Sequence, residues 1–427
     1  MARRIPKWLQ DTHTYSSWPQ MPQAHGPFGK DSLTRSEFRH LEGVPFLNNV
    51  QTPNAISEAH GLGARCISYI SFYDTYVHIE GFENGTARIP WDSKNPQVLL
   101  LDAEGRFCNT PMDNTWRMWR YLVCSNTKQT TDAALALARQ QMERGADGLF
   151  VDNSTSRAPC YGHGFPMGFS PKYRQVLTGQ PSWPGAVGDQ TPEALHRKGL
   201  SPEFWEHDNV QSLPRHRHLY PDLSHDDAYA RLLGKVRRLV KSYGSDKVLT
   251  INGRVGAQHA DAVMLESFVY SWGWEGARNS WKELQAQAKD LRKELVAGTR
   301  VIALSYVGRT TRTVEEDALF ACCAALNLGY IWAGGSGVKG KLGQTLRRLD
   351  LGGPGTSIDH DADVSWTWFE KGLAVVNGGR RKRTVSVPAD GTSSPLRKES
   401  DRTRVLAKDN AYRIQLPAQG GRLLFRL

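Results

Sequence analysis

Two carboxylates in this sequence stand where an apolar run stops. In ERGADGLFVDNS, Glu143 to Ser154, a helical pattern closes at Gly145, an apolar strand pattern follows, and Asp152 emerges beside Asn153. In VLTINGRVGAQHADAVMLESFVY, Val248 to Tyr270, two short strand patterns follow one another, the first ending in Asn252 and the second in Glu266. A carboxylate delivered by an apolar run must reach solvent, a cation or a bound molecule, because an unpaired buried charge is strongly disfavoured. Arg254 and Arg309 offer Glu266 a salt bridge, and a loop cap is the plain structural role open to Asp152. If the two acids share one cleft they can divide acid and base work. Cleavage of a glycosidic bond needs such a pair: one acid protonates the leaving oxygen, and the other attacks the anomeric carbon or activates water.

The residues just after the other strand patterns narrow that chemistry towards sugars. Tyr69, Tyr73, Trp272, Trp274, Tyr306 and Trp332 supply flat rings for the apolar faces of sugar rings. Asp74, Asn126, Asn153, Asn252 and Arg254 supply groups that hold hydroxyls. Each aromatic taken alone reads as core; their gathering near strand ends is what gives them weight.

To bring these residues together the chain needs parallel strands joined by crossover helices, and short apolar runs alternating with amphipathic segments predict that pattern. The expected strands are Arg65–Phe72, Val98–Asp102 or Tyr121–Cys124, Gly148–Asp152, Lys247–Asn252, Ala262–Glu266, Arg300–Ser305 and Gly329–Trp332, with the first near Val44–Asn49. Thr52-Pro53 opens a helix that Gly61 closes, and Thr131 caps one running to Gly145. Ser280 with Glu283 and Thr313 with Glu316 fit the capping box. Ala228, Leu232, Val236, Leu239, Val240 and Tyr243 recur at helical spacing. The fold class expected is α/β, a (β/α)8 TIM-type barrel over 1–362, with an open doubly wound sheet as the alternative. In such a barrel the carboxylates at strand C-termini face the mouth where chemistry occurs. An insertion at about 154–225, far longer than a typical βα loop, carries Tyr161, His163, Phe165, Trp183 and Trp205 as candidates to wall the cleft. From 363 to 427 short alternating strands predict a small C-terminal antiparallel β-sandwich: Trp366–Phe369, Leu373–Asn377, Thr384–Val387, Ala411–Leu416 and Arg422–Leu427.

On HGLGARCISYISFYD (His60 to Asp74), GADGLFVDN (Gly145 to Asn153), the VLTING and VMLESF strands, and RVIALSYVG followed by GYIWAGG, the chain resembles the hypothetical glycoside hydrolases with a TIM-barrel catalytic domain and a small C-terminal β domain. The resemblance spans roughly 44 to 335 and implies a glycosidase. It implies Asp152 as nucleophile and Glu266 as acid/base, and the long insertion after Asp152 departs from its compact pattern.

Composition sets the outer limits. A chain of 427 residues with 39% hydrophobic content is long enough for a barrel plus a smaller domain, and its apolar runs fall short of a membrane span. No secretory leader is visible in MARRIPKWLQD, so a cytoplasmic location is one expectation and the location otherwise stays open. Six cysteines, Cys66, Cys108, Cys124, Cys160, Cys322 and Cys323, form no C-x-x-C pair and show no metal-ligand spacing with histidine, which points to a reducing compartment. The formal net charge of +11 is partly gathered at Arg380 to Arg383 and Arg397 to Arg404. No groove-reading or base-stacking module accompanies it, so a carbohydrate rather than a nucleic acid is the expected partner.

Gly335, Gly337 and Gly340 give G-x-G-x-x-G, but Leu342 stands where a phosphate loop needs Ser or Thr, and the run follows the last barrel strand instead of opening a nucleotide fold. Asp359, Asp361, Asp363 and Glu370 have calcium-loop spacing with Val364 in place of the required glycine. His216, His218 and His225 lie near Asp222, Asp226 and Asp227 in a polar segment. No G-x-S-x-G elbow is present. The expectation is hydrolysis without redox cofactor or required metal. Its rivals are a non-catalytic carbohydrate-binding barrel and an acid/base enzyme acting on an anionic polymer.

Overall fold

A computed structural model describes residues 4–19, 30–76, 89, 98, 100, 120–155, 218–270, 278–307, 312–334, 338–390, 395–399 and 403–427. Among the described residues ten strands precede the C-terminal region: β1 (Thr14–Ser17), β2 (Phe46–Asn48), β3 (Arg65–Ser71), β4 (Asp74–Tyr76), β5 (Arg120–Leu122), β6 (Gly148–Asp152), β7 (Val248–Asn252), β8 (Ala262–Leu265), β9 (Arg300–Leu304) and β10 (Ile331–Ala333). Eight of them close a parallel barrel in the order β1-β10-β9-β8-β7-β6-β3-β2. The expected TIM-type barrel is therefore present, with two corrections to its strands. The first is Thr14–Ser17, which pairs with both β2 and β10, so the strand expected near Val44–Asn49 is the second. Tyr121–Cys124 is no barrel strand: β5 pairs antiparallel with β4 outside the closed sheet. Of the alternative, Val98–Asp102, most lies outside the described residues.

Strand periodicity decides what faces the barrel axis. Phe46, Ile67, Phe150, Val248, Ala262, Met264, Ile302, Ile331 and Ala333 form the interior cluster with Tyr15. Their neighbours Leu149, Val151, Leu249, Ile251 and Val263 lie under the helices. Because side chains alternate with period two, the interior positions at Phe150 and Met264 carry Asp152 and Glu266 inward two residues later. Gly148 lets β6 and β7 approach: a Cβ there would meet the Val248 carbonyl oxygen at 2.2 Å.

Three of the four expected caps start their helices where the pattern predicts. Thr52 caps Pro53–Gly61, and complete capping boxes start Trp281–Glu294 at Ser280 and Val314–Asn327 at Thr313. The fourth cap was misplaced: Thr127, not Thr131, accepts the amide of Thr130 and starts Lys128–Glu143. The helix His225–Ser242 lays its apolar side on β7 and is pinned by Arg237 and Lys241 to the buried Asp261. Among the described residues no helix is long and apolar enough to cross a membrane.

The C-terminal strands are β11 (Pro354–Asp359), β12 (Val364–Phe369), β13 (Gly372–Asn377), β14 (Arg383–Pro388), β15 (Leu396–Lys398), β16 (Arg404–Val405), β17 (Ala411–Leu416) and β18 (Gly420–Arg426). A six-stranded sheet, β11-β12-β13-β18-β15-β16, packs against the β14–β17 pair as an antiparallel sandwich. Val364, Trp366, Leu373 and Val375 meet Val385, Val387, Tyr412 and Ile414 in its core. The sheet starts at Pro354, ahead of the expected division at 363. Its other face, through Ala374, Val376 and Leu423, packs on the helix Val314–Asn327. From Asp317 to Asn327 that helix is buried on all sides, as its apolar composition requires.

Candidate functional site

A cavity of about 200 Å³ opens at the C-terminal end of the barrel strands. Asp152 and Glu266 both line it, with Asn252 between them. One amide joins the acids: Nδ2 of Asn252 donates to Asp152 Oδ1 at 2.8 Å and to Glu266 Oε2 at 2.9 Å. The remaining oxygens are held by phenols. Tyr69 donates to Asp152 Oδ2 at 2.5 Å, and Tyr306 donates to Glu266 Oε1 at 2.5 Å. Asn153 adds a second donor to Asp152 Oδ2 at 3.1 Å. Asp152 is half-buried among three donors, whereas Glu266 is exposed at the rim.

The strand ends present these groups by a shared backbone device. Asn153 follows Asp152 at φ 54°, Gly253 follows Asn252 at 118°, and Ser267 follows Glu266 at 60°. Asn49 follows Asn48 at 65°, and Gly334 follows Ala333 at 154°. A left-handed residue turns the chain sharply off the barrel and leaves the preceding side chain at the mouth. Asn and Gly tolerate that conformation well; at Ser267 it is strained.

The opposite wall comes from β1 and β2, which the sequence reading left out of the site. Tyr15, Ser16, Ser17 and Asn48 line the cavity there. The Tyr15 hydroxyl makes no hydrogen bond of normal geometry, though Asn48 lies near it. Burial and the charge of Asp152 push its pKa well above the usual phenol value. The signal available was the Tyr-Ser-Ser run after Thr14 and the paired Asn48-Asn49, polar residues in strand register.

The remaining expected site residues lie elsewhere. Tyr73 packs with Leu100, Leu122 and Cys124 outside the barrel. Asp74 is buried at the start of β4 and accepts from Ser71. Asn126 has both amide atoms on the backbone of Tyr220, fixing the chain as it returns from the insertion. Arg254 pairs with Glu294 and so is not the partner of Glu266. Trp332 has the opposite parity to Ile331 and Ala333, which turns it into the outer core with no exposure. Trp272, Trp274 and Arg309 lie outside the described residues, as do Gly335, Gly337, His216 and the insertion aromatics Tyr161, His163, Phe165, Trp183 and Trp205.

The other clusters have structural partners. Asp361 and Asp363 both pair with Arg383, and Asp361 also accepts the amides of Asp363 and Val364. His225 Nε2 accepts from the Ser125 amide. His60, Cys66 and Asp147 bring three potential ligand atoms within 4.8 Å of one another at the N-terminal side of the barrel. Asp147 already accepts from Arg65, Lys247, His60 and the Cys66 amide. Burial pushes the Cys66 thiol up to about 12, so it offers no thiolate. This cluster suits closure of the barrel floor better than cation binding.

No family model matches the chain, and no curated protein does. Solved structures do match over nearly the whole length. An Anoxybacillus α-amylase aligns at TM-score 0.54 and 12% identity, covering 99% of each chain. The Geobacillus thermoleovorans α-amylase GTA, solved with acarbose, aligns at 0.52 and 10%, again over 99% of each. The fold is that of the TIM-barrel glycoside hydrolases. A GH27 β-L-arabinopyranosidase from Geobacillus stearothermophilus aligns at 0.50 and 9%, over 99% of each chain, so the likeness extends beyond amylases.

Proposed function

We propose that this protein is a retaining glycoside hydrolase in which Asp152 attacks the anomeric carbon and Glu266 serves as acid and then base. The observation that carries the reading is the shared Asn252 amide. Two bonds of 2.8 and 2.9 Å from one nitrogen, each directed along one of the amide's two hydrogens at roughly 120° to one another, would set the bridged oxygens about 5 Å apart. Retaining enzymes hold their carboxyl groups about 5–5.5 Å apart, and inverting ones need about 6.5–9.5 Å to admit water.

The surroundings favour the same division of roles. Three donors on Asp152 hold its carboxyl in one orientation, as a nucleophile requires. Glu266 stands at the exposed rim, where a leaving group and then a water reach it. In the first step Asp152 forms a bond to the anomeric carbon as the glycosidic C–O bond breaks, and Glu266 gives its proton to the departing oxygen. In the second Glu266 takes a proton from water, whose oxygen displaces Asp152. Tyr15, Ser16, Ser17 and Asn48 supply hydroxyl and amide groups for the sugar in between.

A screen of oligosaccharides and aryl glycosides identifies a substrate, on which Asp152→Asn and Glu266→Gln are then assayed. We expect Asp152→Asn to reduce kcat by about 10³-fold or more, and Glu266→Gln by about 10²–10⁴-fold on an oligosaccharide. The second loss shrinks on an aryl glycoside whose phenolate needs little protonation. Unchanged turnover in Asp152→Asn, or a first-formed product of inverted configuration by NMR, overturns the assignment.

A further inference from the structure

Glu266 reaches the cleft rim with both carboxyl oxygens met: Oε2 accepts from Asn252 at 2.9 Å, and Oε1 from the Tyr306 phenol at 2.5 Å. The Asn252 amide also holds Asp152, so its loss disturbs both acids at once. Asp152 takes its other donors from Tyr69 and Asn153. The phenol of Tyr306 is therefore the group through which Glu266 can be tuned by itself.

Backbone bonds fix that phenol in place. Beyond β9, Ser305 N donates to the Ala333 carbonyl at 2.9 Å, and Ser305 Oγ accepts the Val269 amide at 3.3 Å. Phe268 N donates to Leu304 O at 2.8 Å, and Tyr306 N to Tyr270 O at 3.4 Å. The chain carrying Tyr306 is thus laced to the chain that follows Glu266. On that second chain Asn279 Nδ2 donates to the carbonyls of Ser267 and Phe268, at 3.3 and 2.6 Å, across the left-handed Ser267.

A phenol donates more strongly to a carboxylate than to a neutral carboxyl. As an acid gives up its proton such a bond strengthens, and it then stabilises the transition state more than the ground state. As a base takes up a proton the same bond weakens and gives no assistance. A donor placed in this way favours one of the two steps.

We propose that Tyr306 is a positioning residue for the acid step of the reaction. Its hydroxyl stabilises the negative charge that grows on Glu266 as the proton passes to the departing oxygen, and the phenol keeps its own proton. The inference rests on the glycosidase reading, and it gives Tyr306 a role other than the sugar platform expected of its ring.

Tyr306→Phe removes one oxygen and retains the half-buried ring. Its kinetics are compared on phenyl and 2,4-dinitrophenyl glycosides of the sugar selected by the screen, because the first leaving group needs a proton and the second departs without one. On the phenyl glycoside kcat/KM is expected to fall about tenfold, the difference between a charge-assisted and a neutral hydrogen bond. On the dinitrophenyl glycoside kcat and kcat/KM should both stay within about threefold of wild type. Losses of equal size on the two glycosides would make Tyr306 a support for the rim and overturn the inference, as would no loss on either. Asp152→Asn, assayed alongside, separates the two failures. Full turnover in that variant defeats the glycosidase reading and this inference with it, whereas an inactive Asp152→Asn beside a Tyr306→Phe at wild-type rates defeats this inference alone.

Discussion

Asn252 is the residue on which the proposed catalytic geometry depends, because it is the one donor among the described residues shared by both acids. Replacing it by alanine removes one charge-assisted bond from each carboxylate, every such bond contributing about 1.5–3 kcal/mol. We expect Asn252→Ala to lower kcat by about 10²-fold while KM changes little, since the loss falls on the arrangement of the reacting groups. Steady-state kinetics on the substrate found by screening checks this; a loss confined to KM would make Asn252 a sugar contact only. Asp152, Asn252 and Glu266 were legible in the sequence because each ends an apolar run in inward register. Trp332 was misjudged for the complementary reason. It stands next to a strand end, but its parity faces the helices. Tyr73 and Asp74 failed differently, since the chain leaves the barrel after Ser71 to form β4.

The strand ends explain how the acids are held in place. Beyond their last ladder bonds β6 and β7 stay joined, with Ser154 N donating to Asn252 O at 2.6 Å and Val255 N to Ser154 O at 2.9 Å. Gly253 lies inside this clasp at φ 118°, and a Cβ on it would meet the Ser154 oxygen at 2.3 Å. Gly253→Ala should therefore part the two strand ends and move Asn252 with them. The expected result is at least a tenfold fall in kcat and a loss of about 1–3 kcal/mol on denaturant unfolding; wild-type activity and stability would refute the clasp. Most elements were readable from pattern, β6 to the residue, because buried parallel strands are near-continuous apolar runs. β1 was not. Its four residues, Thr-Tyr-Ser-Ser, include cleft-facing hydroxyls where a core strand would be apolar, so its function hid its structure.

Across the whole molecule, barrel and sandwich share one apolar layer, and His13 lies at its edge. Its ring is 4% exposed and meets Phe369 of β12 edge-on at 5.3 Å, while its carbonyl accepts the Trp332 amide of β10. Burial first, then Arg300, lowers its pKa from 6.5 to about 4; Lys371 acts in the same sense, and Asp350 and Asp11 oppose them. The folded state thus keeps this histidine neutral over a range in which the unfolded chain protonates it. A depressed histidine value means stability complete above about pH 6.5 and declining as pH falls towards 4. The full decline is on the order of 3 kcal/mol from this one group. Nδ1 has no hydrogen-bond partner, so a proton added there meets no acceptor within the fold. Denaturant unfolding at pH 7, 5.5 and 4.5 should show the wild type losing stability through that interval, and His13→Gln should flatten the slope by roughly that amount. Equal slopes in the two proteins would place the acid sensitivity in other groups and remove His13 as the titrating contact between barrel and sandwich.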